Sequence, residues 1–415
     1  MSLKRFYPIL IPIPAFGVGV YWALAGTFAP WIAYTQTDND FLVMLLISMG
    51  PFTGIFTQYL AGMISDRTTS RFGRRTPWII AGVILACLSQ IMWFFAPNFI
   101  MLFMIGFLTY FAVNFFQGPY FTMIYEVVPK NRIGFATVMS KFIMGSGGMI
   151  ISFFSAMIWK QGVLFSVIII ALFMAVPMLI LMLGVVKEAP VVKGQMQVPK
   201  KLQFDLLSHP RALQLFIAVL FLYLATGPIN AIMTPYFVKY IGFSKETLAQ
   251  ALGLGGLIGL LATGSISFFI DRFNPKRLFQ GILVFNLVVF LVGTLISSSQ
   301  QLVLFYVFNV LIGIMGVSYP IIFTLLPRVA PEGRLGEFQG LLNMFLSIGD
   351  FAMTLGIGLL LESGHNHWVL KIEMVLVSIA FLIMLPNFKG GAKTKKTVME
   401  KKPIKQKSKD KKAYV

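Results

Sequence analysis

Two ionisable side chains stand inside long apolar runs. Asp350 lies between NMFLSIG and FAMTLGIGLLL, and Lys141 lies in VMSKFIMG. A charge within hydrocarbon costs at least about 2.5–3.5 kcal/mol on insertion scales, so each is a candidate for function by default. At about 1.5 Å per helical residue, Asp350 is roughly 20 Å from the start of its run and Lys141 about 12 Å from the start of its own. A lone carboxylate at that depth is stabilised as the acid, which suits it to carry a proton across; the alternative is a structural hydrogen bond to the second helix. The four methylenes of Lys141 would let its ammonium reach the interface. Its alternative role is a cation that pairs with Glu126 or with a solute hydroxyl.

A third cluster is the stretch SDRTTSRFGRR, where one acid and four arginines interrupt an apolar chain. A short turn between two helices cannot reach far, so Asp66, Arg67, Arg71, Arg74 and Arg75 must sit at the mouth of the helix assembly. There an acid can bond an arginine or the amino terminus of a neighbouring helix, and such contacts must break when that side opens. Arginines alone would serve topology, but Asp66 and the recurring Asp271-Arg272 do not. We therefore expect a cytoplasmic latch made of these residues with Glu126.

Uncharged polar and aromatic groups are the candidates for solute recognition, since hydroxyls are read by amides and a ring's apolar face stacks on aromatic rings. Tyr21, Trp22, Gln58, Asn114, Gln117, Asn230, Tyr236, Tyr319 and Asn343 all fall within apolar runs. An isolated amide in such a run also serves as glue between helices, so about half of the set is expected to face solute.

The elements that must position these residues follow from composition. Of 415 residues 57% are hydrophobic and 12% charged, too few polar groups to cover a soluble globule. Apolar runs of about 20 residues, enough to cross the bilayer core, fall near 12–34, 40–64, 77–96, 98–125, 133–159 and 162–185. Six more fall near 210–238, 246–270, 276–297, 302–326, 335–361 and 367–386. The expectation is an all-α membrane protein of twelve transmembrane helices in two sets of six.

The formal charge of +19 is asymmetrically placed: with a cytoplasmic amino terminus, 29 of the 34 Lys and Arg fall inside. That bias predicts both termini cytoplasmic, in a cell membrane. The polar stretch 186–209 reads as a cytoplasmic linker between a bundle over 1–185 and a second over 210–388. The lysine-rich 389–415 reads as a disordered tail resting on anionic lipid, and not as a nucleic-acid site.

The two halves repeat. VPKNRIGFATVMSKFIMGSGG from Val128 aligns without gaps on APEGRLGEFQGLLNMFLSIGD from Ala330, matching Pro129, Arg132, Gly134 and Gly147 to Pro331, Arg334, Gly336 and Gly349. Ser65-Asp66-Arg67 recurs as Ile270-Asp271-Arg272. Repeats of this kind place a solute site where the halves meet.

The run from Gly62 to Pro77 resembles the signature loop of the major facilitator superfamily, in the form found in the sucrose/proton symporter (glycoside-pentoside-hexuronide-like) family. Gly50-Pro51, Gly54 and Gln58 are similar to that family's second helix, Asn114 with Gln117-Gly118-Pro119 to its fourth, and Trp22-Ala23-Leu24 with Pro30 more loosely to its first. The resemblance implies the major facilitator fold, a central cavity, alternating access, and a sugar carried with a proton. Where the family's fourth helix has an acid before the glutamine, and an arginine and a further acid after Gly-Pro, this chain has Tyr110, Phe121 and Glu126.

Other classes find little support. Cys87 is the single cysteine, so no disulfide or redox pair forms within the chain. His365 and His367 lack the companions a metal site needs. Gly253-Leu254-Gly255-Gly256 and Gly145-Ser146-Gly147-Gly148 follow no strand, and read as close-approach sites instead of phosphate loops. No cofactor and no catalysis are expected, and a monomer is. The reading is importer of a neutral sugar, an α-glucoside such as sucrose or maltose, by proton symport, with Asp350 and Lys141 as coupling residues. Its rivals are a uniporter, a cation-linked or efflux carrier of another solute, and a non-transporting sensor of the same fold.

Overall fold

The computed structural model describes residues 3–66, 68–129, 132–186, 188, 209–269, 273–330 and 335–385. Arg67, Asp271, Arg272, the side chain of Asp66, most of the expected linker and the basic tail lie outside the described residues.

Among the described residues the protein is helical, and twelve segments are long and apolar enough to cross a membrane. A short α1 (Tyr7–Leu10) leads through the IPIP prolines into α2 (Ala15–Ala33), which together make the first span. Next come α3 (Asp40–Asp66), α4 (Thr76–Met92), α5 (Phe99–Val127), α6 (Ile133–Lys160) and α7 (Val163–Ile180). The second half holds α8 (Pro210–Thr226), α9 (Lys245–Phe269), α10 (Pro275–Thr294), α11 (Leu302–Met315), α12 (Ser318–Val329), α13 (Leu335–Glu362) and α14 (Val369–Met384).

Two spans are broken where apolarity alone predicts continuous helices. The tenth is split at Gly316 and Val317 into α11 and α12. The seventh leaves α-helical geometry after Thr226, passes through a 3-10 turn over Gly227–Asn230, and ends as a π-helix over Met233–Tyr240. Pro228 and Pro235 each lack the N–H that a continuous helix needs, so the ladder must re-form around them.

The six spans of each half pack in the same pattern. In the first, α2 meets α6 and α7, α3 meets α5, and α4 meets α5 and α7. In the second, α8 meets α13 and α14, α9 meets α11, and α10 meets α11, α12 and α14. Two seams join the bundles, α3 against α13 and α6 against α9. Membrane helices gain no hydrophobic advantage from meeting each other in lipid, so they pack through small residues that let backbones approach. Gly147 of α6 faces the Phe16 carbonyl of α2, and its repeat equivalent, Gly349 of α13, faces the Leu220 carbonyl of α8. Gly255 and Gly313 do the same between α9 and α11.

Candidate functional site

The spans have two ends. One carries the arginine loop after α3 and is called the basic face; the other, where α3, α9 and α14 begin, is the far face.

In the first bundle the fourth-span amides are engaged by their neighbours. Asn114 donates to the Gly50 carbonyl at 3.0 Å and to Thr53 Oγ1 at 2.9 Å, while its Oδ1 accepts from Gln58 Nε2 at 3.2 Å. Gln117 Oε1 accepts from Trp22 Nε1 at 3.3 Å, and Gln117 Nε2 donates to the Val113 carbonyl. Gly50 is what lets the Trp22 and Tyr110 rings lie against α3. Tyr21 and Tyr110, edge to ring at 6.2 Å, are wholly buried, and neither hydroxyl meets a partner among the described residues. Such groups carry a desolvation cost that nothing in the bundle offsets.

In the second bundle Asp350 sits against the break in the seventh span. A Cβ placed on Gly227 would lie 2.7 Å from Asp350 Cβ and 2.8 Å from its Cγ. Its Oδ1 accepts from Thr354 Oγ1 at 3.2 Å. Broken helices at mid-depth expose main-chain groups with no helical partner, which is how transporters of several folds build ion and solute sites. On the adjoining seam Phe351 packs on Phe52 at 5.1 Å, and Ser347 lies beside Gly54. Asn343, two turns earlier on α13, is half-buried.

Between the bundles, Lys141 of α6 holds its ammonium 4.6 Å from the Phe121 ring centre and 5.8 Å from that of Tyr319 on α12. Each such contact contributes about 0.5–1 kcal/mol when exposed and more when desolvated. Glu126, its partner in one sequence reading, is held elsewhere. Asn230 packs against Gly26 of α2, and Tyr236 is buried in the π-helical turn.

At the basic face Glu126 Oε1 accepts from Arg75 Nη2 at 2.8 Å and also from Arg74. Burial works to raise the Glu126 carboxyl, but the bonds and charges of Arg75 and Arg74 outweigh it and hold it below the usual carboxylate range. Arg75 further donates to Ser65 Oγ of α3. Arg71 stays exposed, its guanidinium 4.7 Å over the Phe72 ring. Glu188, which reads in sequence as linker, folds back onto the start of α4. It accepts from the Thr76 N–H at 2.8 Å, from the Thr76 hydroxyl at 2.9 Å and from the Arg75 N–H, satisfying donors that a helix start leaves open.

The far face carries a cluster that sequence reasoning passed over. Asp40, 2% exposed, receives Lys239 Nζ at 2.7 Å and the hydroxyls of Tyr34 and Tyr240. Glu362 accepts from the Asp40 N–H at 2.9 Å and from Asn39 Nδ2 at 2.8 Å. Burial first, then the Asp40 bond, pushes both phenols up, so they remain donors. Trp31 Nε1 donates to Thr234 Oγ1 at 3.0 Å, and Lys160 pairs with Glu246 at 3.0 Å. Every one of these bonds except that of Tyr34 joins one bundle to the other. A cavity of about 260 Å³ lies among them, lined by Trp31, Tyr34, Asp38, Thr234, Lys239 and Lys245. The available signal was a lone acid in the first turn of a span, together with a lysine away from the basic face.

The Major Facilitator Superfamily matches this chain over residues 14–354 and again over 215–412. The general alpha-glucoside permease of Schizosaccharomyces pombe is 32% identical over 98 residues, 23% of this chain and 18% of that protein. Sucrose transport protein SUT1 of Oryza sativa subsp. japonica is 35% identical over 91 residues, 22% of this chain and 16% of that protein. Glucose transporter GlcP of Staphylococcus epidermidis is 25% identical over 176 residues, 39% of each chain. The chain thus spans well under half the length of each of these relatives. In fold it is similar to a mutant of the nucleoside transporter NupG, with a TM-score of 0.75 at 14% identity over 93% of this chain and 100% of that one. It is also similar to a bacterial homologue of the human lysosomal transporter Spinster in an inward-facing, occupied conformation, with a TM-score of 0.70 at 13% identity over 92% and 96%.

Proposed function

The chain belongs to the Major Facilitator Superfamily, and from that premise we propose that it imports a neutral sugar, an α-glucoside such as sucrose or maltose, by proton symport. The observation that carries this reading is Asp350, an acid held against the broken seventh span at Gly227 with Thr354 as its bonded neighbour. An acid at such a break can exchange a proton as the bundles rock, and breaks of this kind are where transporters of several folds bind solute. The named relatives that carry sucrose, glucosides and glucose support the solute class.

In this reading the basic face is cytoplasmic, following the distribution of Lys and Arg, and the far-face cluster is the outer gate in its closed position. Lys141, Phe121 and Tyr319 then line the inward path, and Trp22, Gln58, Asn114 and Gln117 form its first-bundle wall, with Asn230 and Asn343 contributed by the second; Tyr236 would meet solute only once the far face opens. Arg74, Arg75 and Glu126, with Asp66, Arg67, Arg71, Asp271 and Arg272, make the cytoplasmic latch. The protein works as a monomer in the cell membrane.

A second reading has its own observation. Asn114 and Gln117 are spent on Gly50, Thr53, Gln58 and Trp22, and Tyr110 stands where the sucrose family has an acid, which favours a uniporter of a less polar solute.

The test is alkalinisation outside lightly buffered, de-energised vesicles on adding a panel of sugars, beside Asp350→Asn. One sugar that moves protons in the parent and not in the variant establishes symport. Sugar exchange without proton movement in the parent leaves the uniport reading in its place.

A further inference from the structure

The far-face cavity contains a cation that the latch does not use. Its wall takes Trp31, Tyr34 and Asp38 from the first bundle, and Thr234, Lys239 and Lys245 from the second. Lys239 is committed to the latch: its ammonium donates to Asp40 Oδ1 at 2.7 Å and to the Asp38 carbonyl at 3.0 Å. Lys245 is held differently. Its ammonium lies 4.8 Å from the ring centres of both Trp31 and Trp159, and nothing among the described residues accepts a hydrogen bond from it. The acid beside it in sequence, Glu246, is taken by Lys160 at 3.0 Å.

Ring faces attract a cation without taking its N–H groups in ordinary hydrogen bonds, so the three charged donors of Lys245 remain to be met. The other charge on the wall without a partner of its own is Asp38, and the two differ in exposure. Asp38 is exposed and solvated where it stands, whereas the half-buried Lys245 gains from a counter-ion. Charge complementarity therefore calls for an anion. The apolar part of the wall, Trp31 with Val238, can seat an apolar body beside that charge. At about 260 Å³ the cavity falls just below the roughly 300–1,000 Å³ of sites for drug-sized ligands, so its occupant must be small.

We propose that the far-face cavity is a binding site for a small organic carboxylate, whose charged group pairs with the Lys245 ammonium and whose apolar body lies against Trp31 and Val238. Both bundles build the wall, so the site is complete only while the far face is closed. A ligand with higher affinity for that state shifts the population toward it, and the carboxylate therefore holds the far face shut. The inference goes beyond the sugar reading, since Lys245 belongs to neither the proposed solute path nor the coupling site.

The experiment uses purified full-length protein in nanodiscs, with Cys87→Ser to remove the native thiol. Val238→Cys then places a thiol on the cavity wall, and Ser297→Cys, exposed and outside that wall, is the reference. Benzoate is the probe, and benzyl alcohol, of similar shape without the charge, is its control. Benzoate in the millimolar range is expected to slow maleimide labelling at position 238 relative to position 297 at least about threefold, the factor reached at about twice a dissociation constant. Benzyl alcohol should leave the ratio unchanged, and Lys245→Gln should abolish the effect of benzoate. No slowing by benzoate, equal slowing by benzyl alcohol, or slowing that survives in the Gln variant overturns the proposal. Slowing by maltose and not by benzoate also overturns it, and assigns the cavity to neutral sugars. Should the Gln variant not assemble, reductive methylation of the native lysines is read by peptide mass spectrometry. Benzoate should then shield Lys245 relative to the exposed Lys371 by the same factor, and equal modification with and without benzoate overturns the proposal. The benzoate arms contain no sugar, so they succeed or fail independently of the solute reading.

Discussion

Gly227 and Asp350 occupy one another's space: the seventh span has no side chain at the point where the eleventh presents its carboxylate, and a Cβ there would approach Asp350 Cα to 2.9 Å. The glycine is therefore required by its neighbour, since its own backbone lies in the ordinary helical region. Gly227→Ala should displace Asp350 or part the two helices at a cost of about 1–3 kcal/mol. Initial uptake at matched surface expression is expected to fall at least about tenfold, because small misplacements of a working group are costly. Unchanged uptake would mean that the carboxylate's position at the break is irrelevant to transport.

Asp40 and Lys239 offer a double-mutant cycle. Lys239→Met leaves a buried carboxylate with two phenols in place of a cation, and should lower thermal stability by about 1–3 kcal/mol. Asp40→Asn in that background should restore part of the loss, since the charge left behind is removed. Additive effects in a detergent melt would show that the pair does not couple.

The depressed Glu126 carboxyl makes stability depend on pH in a stated direction. A group with a lowered folded pKa stabilises the fold above its unfolded value, here 4.5, and that contribution disappears as pH falls through the folded value. Glu126→Gln should cost about 1 kcal/mol or less near neutrality, given its partial exposure, and the gap to the parent should close in acid below the carboxylate range. Melting curves across pH check this; a gap that widens in acid contradicts it.

Glycine packing predicts a contrast between two single-methyl additions. At Gly147 a Cβ would run into the Phe16 carbonyl, whereas at Gly62 it meets nothing within 4 Å. Gly147→Ala should destabilise by about 1–3 kcal/mol, and Gly62→Ala should be neutral or slightly stabilising by removing backbone freedom from the unfolded chain. Size-exclusion monodispersity after a heat step would distinguish them.

Much of the fold was legible because hydropathy and span length are properties of one segment at a time. Each apolar run near 20 residues had to become a helix in lipid, where main-chain groups find no other partner, so the twelve spans and their two sets of six follow from local sequence. The gapless match of Val128–Gly148 to Ala330–Asp350 anticipated the shared packing of Gly147 and Gly349. Asp350 also stood out locally, since a lone acid between FLSIG and FAMTL has no local alternative.

Pairings between distant segments were not legible. Asp40 and Lys239 are 199 residues apart, Arg75 and Glu126 are 51 apart, and Glu188 returns to the start of α4 from what reads as a linker. Glu373 illustrates the reason. By position it resembles any acid one turn from a span's end, able to reach headgroups, and only the packing of α8 and α10 against α14 removes that route. Sequence determines which segments enter the membrane, whereas the face each helix turns inward depends on all its neighbours at once. The tertiary structure alone therefore decided which charges are paired, which are buried without a partner, and which helix break meets an acid.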